Sequence, residues 1–77
     1  MTEQSSRSAI EEVPIAEQIE EVEREIGKRT LAYTRRIADG KMSREVAIKR
    51  MTRMRAVLRT LQQRQDYELQ RGKTVLV

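Results

Sequence analysis

Asp39-Gly40-Lys41-Met42-Ser43 is the stretch on which the fold turns. Gly40 reaches the left-handed backbone region without the steric cost other residues meet, so it closes a helix. Ser43 stands where the next helix needs an N-cap, its hydroxyl placed to accept from the amide of Glu45 or Val46. Met42, just before that cap, is set to staple onto Ala47. A stop and a start linked by about three residues send the second helix back along the first.

Toward the N-terminus, the apolar positions are Ile15, Ile19, Val22, Ile26, Tyr33 and Ile37, with Thr30 bridging the gap. Their spacing keeps to one helical face. Pro14 suits the first helical position, where its missing N–H costs nothing, so helix one is predicted from Pro14 to about Asp39. Glu17, Glu20 and Glu21 complement the dipole at its start. Toward the C-terminus, Ala47, Met51, Met54, Leu58 and Leu61 repeat the pattern, and Val46, Ile48, Val57 and Leu69 widen it. Gly72 reads as the terminator of helix two, at about residues 43–71. Residues 1–13 read as a flexible arm, with Ser8 as the cap of a short turn, residues 14–72 as the hairpin, and residues 73–77 as an apolar tail.

The predicted fold is therefore all-α, a two-helix antiparallel hairpin. Leu31, Ile48 and Val57 lie off the narrow seam, and that extra apolar width is what a bundle needs. The chain has 77 residues, no Cys, no Phe or Trp and only two Tyr, so disulfides are absent and large aromatic anchors nearly so. Association into a dimeric four-helix or larger bundle is the remaining aid to stability.

The same composition argues against catalysis. There is no His, so the usual general base at neutral pH and the commonest metal ligand are missing. Glu20, Glu21, Glu23 and Glu25 crowd one segment, but close neighbours do not converge on a helix. Glu17 with Glu21, or Glu21 with Glu25, lacks a matching carboxylate pair on helix two. No phosphate loop or dinucleotide turn occurs. The chain reads as non-enzymatic, with no catalytic residue, metal or cofactor. No apolar run approaches the ~20 residues of a membrane span, and residues 1–12 lack a signal-peptide core, so the expected location is the cytoplasm.

Charge is sorted along the chain. Residues 1–27 hold eight acidic side chains and two basic, a balance of −6; residues 28–53 hold nine basic and two acidic, a balance of +7. Folding the chain about Gly40 sets residues 21–25 against Arg55 and Arg59 and gathers the basic residues at the loop end. Such an end attracts anions, and Arg outnumbers Lys twelve to four, which favours phosphate. The candidate ligand residues are Tyr33, Arg35, Arg36, Lys41, Ser43 and Arg44, beside the amides that open helix two. Each has a plainer reading. Ser43 is first a cap, Tyr33 first a core ring with base stacking as its functional alternative, and charged helical faces are commonly solvated surface.

The run Tyr33-Thr34-Arg35-Arg36-Ile37-Ala38-Asp39-Gly40-Lys41-Met42-Ser43, followed by Ala47 and by Met54-Arg55-Ala56-Val57-Leu58-Arg59-Thr60-Leu61, resembles small helical-hairpin proteins encoded by bacterial temperate phages and prophages. With Ile15-Ala16-Glu17-Gln18-Ile19 the likeness covers roughly residues 15–61. It lends no catalytic residues. It implies a bacterial host cytoplasm and a short protein that binds a host protein or sequesters a host signal.

Two functional readings follow. One is an oligomeric bundle whose basic end holds a phosphate-bearing small molecule such as a nucleotide signal. The other is an interaction protein that docks on a host protein and inhibits it. Non-specific nucleic-acid binding by the same end stands third, because aromatic interleaving is sparse.

Overall fold

A helix with an apolar stripe cannot hold it against water alone, and in this chain two such stripes close on each other. The computed structural model describes residues 13–76, with side chains described for residues 13–71. Helix α1 spans Ile15–Ala38 and helix α2 spans Arg44–Leu76, antiparallel, with no strand among the described residues. Of the arm expected at residues 1–13, residues 1–12, with the Ser8 cap, lie outside the described residues.

Both stripes face inward as their spacing predicts. Ile19, Tyr33 and Ala47 are buried. Ile15, Val22, Ile26 and Ile37 on α1, and Met51, Met54, Leu58 and Leu61 on α2, are half-buried. None of the described side chains is wholly buried, so the seam is thin. Leu31, Ile48 and Val57 are exposed, as positions off the seam should be, and so are Val46 and Leu69.

The turn is built from two caps. Gly40 has φ +72°, the left-handed value. Its N–H donates to the Ile37 carbonyl at 3.0 Å and the Lys41 N–H to the Arg36 carbonyl at 2.8 Å, the paired bonds of a Schellman closure. The Ser43 hydroxyl oxygen accepts from the Val46 N–H at 3.2 Å, an N-cap bond.

Three expectations are corrected. Pro14 is the N-cap of α1, with extended backbone at φ −60° and ψ 149°, one residue outside the helix. A proline there still presents its carbonyl, which accepts from the amides of Glu17 and Gln18. Helix α2 does not stop at Gly72 but continues through it to Leu76. Glycine inside a helix costs only ~1 kcal/mol relative to Ala, which does not by itself force an end. Third, the helices are not joined by the ion pairs expected from Glu21 and Glu25 to Arg55 and Arg59. Among the described residues, ion pairs join Arg24 to Glu21, Arg29 to Glu25 and Arg64 to Glu68, each within one helix. For Arg55 the cause is register, and Glu25 is taken by Arg29 on its own helix. The turn takes residues 39–43, so its axis falls beyond Gly40, and Arg55 lies beside Thr30 and Thr34 instead.

Candidate functional site

Two helices in contact leave a groove along each flank, and the residues next to the seam decide what each groove is. On one flank, Arg29, Ala32, Tyr33 and Arg36 from α1 meet Arg50, Arg53 and Met54 from α2 around an open groove of about 430 Å³. The residues step by three and four along each helix, so their side chains share a face. Tyr33 and Met54 are seam residues, and four of the other five lining residues are arginines.

Those four are not equivalent. Arg29 Nε donates to Glu25 Oε1 at 3.0 Å, so its charge is already answered. Arg36, Arg50 and Arg53 have no ion-pair partner among the described residues. Arg36 comes from the last turns of α1 and Arg50 and Arg53 from the second and third turns of α2, so three uncompensated cations converge from two helices. Like charges held together raise the local potential and favour an anion that bridges them. Open volumes of this size lie within the range of small-ligand sites.

Of the residues singled out from sequence, Tyr33 and Arg36 line this groove. Arg35, Lys41, Ser43 and Arg44 do not line it. Arg35 is exposed on the last turn of α1, Lys41 is exposed in the turn, and Arg44 is exposed at the start of α2. Ser43 is occupied as the cap. Tyr33 is 8% exposed, so its ring belongs to the core. Sequence reasoning passed over Arg29, Arg50 and Arg53. Their signal was present: Arg29 and Arg36 are seven apart, and Arg50, Arg53 and Met54 repeat the same face on α2. Taking Gly40 as the axis hid the coincidence.

On the opposite flank, Thr30, Tyr33, Thr34 and Ile37 meet Ala47, Ile48, Met51, Thr52 and Arg55 around a groove of about 260 Å³. The Thr30 hydroxyl donates to the Ile26 carbonyl and the Thr34 hydroxyl to the Thr30 carbonyl, both at 2.8 Å. With their hydroxyls bonded back to the helix, these threonines behave nearly as apolar residues. A third groove, nearer the open end, is lined by Val13, Glu17, Gln18, Glu21, Val22, Val57 and Leu61.

Among the described residues no group of three His, Cys, Asp or Glu side chains could hold a metal ion, and no helix is long and apolar enough to cross a membrane. The chain matches no family model, no curated protein and no solved structure.

Proposed function

We propose that this chain is a non-enzymatic, phage-type accessory binding protein of a bacterial host's cytoplasm. Its hairpins assemble into a dimeric four-helix or larger bundle, and each holds a phosphate-bearing small molecule in the arginine groove. The observation that carries the reading is the convergence of Arg36, Arg50 and Arg53, without ion-pair partners among the described residues, on one groove that Tyr33 and Met54 also line. Three arginines without ion-pair partners, set beside the half-buried Met54, suit a phosphate-bearing molecule with an apolar part, as a nucleotide has.

Calorimetric titration with pyrophosphate, ATP and a cyclic nucleotide tests this. Binding should weaken as salt rises, because the contacts are charged and partly exposed. Charged hydrogen bonds contribute ~1.5–3 kcal/mol each, so Arg36→Glu should weaken binding by at least about tenfold to a hundredfold. No heat with any of the three probes would remove the anion reading. The bundle would then serve the alternative, docking on a host protein.

A further inference from the structure

Helix α1 carries a second stripe that the hairpin covers only at its Ile37 edge. Glu20, Glu23, Gly27, Thr30, Thr34 and Ile37 step by three and four residues and so share a face. That face continues the groove of Thr30, Thr34, Ile37, Ile48 and Met51, whose one charged lining residue is Arg55. In a chain with 36% charged residues, the stretch from Gly27 to Ile37 on this face carries no charge. Ile48 beside it is 65% exposed. A Cβ placed on Gly27 would meet nothing within 4 Å, so nothing within the described hairpin requires a glycine at the middle of α1.

The charges around this face choose its occupant. At this face the unpaired charges are Glu20 and Glu23 on α1 and Arg55 on α2, whereas Arg29 and Arg36 line the opposite flank. A parallel copy would set Glu20 and Glu23 against their own counterparts. An antiparallel copy brings them toward Arg55, and the helix dipoles favour that orientation. Antiparallel stacking about Gly27 puts Glu20 of one copy opposite Thr34 of the other, and Glu23 opposite the turn that holds Thr30. Arg55 lines the groove with Thr30 and Thr34. Glu20, Glu23 and Arg55 have no ion-pair partners among the described residues.

We infer that a second copy of this chain docks antiparallel on the flank of Thr30 and Thr34. The two α1 helices cross at Gly27, and Glu20 and Glu23 of each copy meet Arg55 of the other. Both arginine grooves then remain on the outside of the four-helix assembly. The inference rests on the bundle part of the proposed function and not on the anion part.

Light scattering with circular dichroism decides it. The unaltered chain at about a hundred micromolar should scatter as twice its 9.0 kDa mass. Gly27→Arg, which puts a long side chain at the crossing, should give the single-chain mass. Glu20→Arg/Glu23→Arg and Arg55→Glu should each weaken association by about tenfold or more. Mixing these last two should restore the double mass, and any helicity lost with the interface, because one reciprocal contact then has its native charges and the other has them exchanged. A single-chain mass for the unaltered protein would overturn both this inference and the bundle. A double mass that survives Gly27→Arg and Arg55→Glu would overturn the face alone. Loss of the dimer on Arg50→Glu instead would place the interface on the arginine flank. Failure of the mixture to reassociate would overturn the Glu–Arg pairing.

Discussion

On one side of Tyr33 the hairpin presents Arg29, Arg36, Arg50 and Arg53; on the other it presents Thr30, Thr34, Ile37, Ile48 and Met51, with Arg55 as the one charge. The contrast is assembled from sequence neighbours. Arg29 adjoins Thr30, Arg36 adjoins Ile37, and Arg50 adjoins Met51. At 3.6 residues per turn, adjacent positions point about 100° apart, so a single step carries a side chain from one flank to the other. Window averages of charge blur the two flanks together and report only a basic segment. The helical period separates them, and so one short hairpin can carry both a charged groove and a surface with almost no charge.

The severest way to break this contrast is to remove what both flanks share. Tyr33 lines both grooves and is among the buried residues of the seam. Tyr33→Ala should cost about 3 kcal/mol or more, as large-to-small aromatic changes in a core do. It should weaken anion binding and self-association together, a joint loss that no single-flank variant should give. Denaturant melts followed by circular dichroism, with titration and light scattering on the same samples, provide the check. If Tyr33→Ala lost only one of the two properties, the grooves would not both depend on Tyr33.

Gly40 tests the contrast at its hinge. Its φ of +72° is strained for any residue with a Cβ, although a Cβ there would meet nothing within 4 Å. Gly40→Ala should therefore cost ~1–2 kcal/mol through the backbone alone. Because the turn sets the register of both flanks, the loss should fall on each equally in a melt. Were the Ala variant as stable as the parent, the Schellman closure would not be what fixes the pairing.

The seam was the part of the fold most legible in the sequence. Ile19, Tyr33 and Ala47 could be placed inside from spacing, and Gly40 and Ser43 from turn chemistry, because both signals are local. Register was less legible, because it depends on how many residues the turn consumes. Asp39, Lys41 and Met42 all stand outside the helices, and so the axis moves past Gly40. That shift took Arg55 away from residues 21–25 and set Arg50 and Arg53 beside Arg36. The candidate site followed the register. A basic end was readable from composition, whereas which guanidinium groups converge was readable only once the helices were paired. The end of α2 was misjudged for a different reason: a glycine stops a helix only where its left-handed conformation is used, and Gly72 lies within one.

Arg59 offers the smallest effect and the sharpest control. It is exposed, lines neither the arginine groove nor the groove of Thr30 and Thr34, and has no ion-pair partner among the described residues. It nevertheless carries the same charge as Arg36 on the same two-helix rod. If anion binding came from the net positive charge of the chain, Arg59→Glu and Arg36→Glu would weaken it alike, since each lowers the charge by two. If it comes from convergence in the groove, Arg59→Glu should leave affinity within about twofold of the parent near physiological salt, where charges beyond ~8 Å are largely screened. Its stability should move by no more than about 0.5 kcal/mol, as expected for an exposed position without a partner. Titration of the two variants with pyrophosphate at one ionic strength compares them directly. Equal losses would replace the groove with a diffuse positive field.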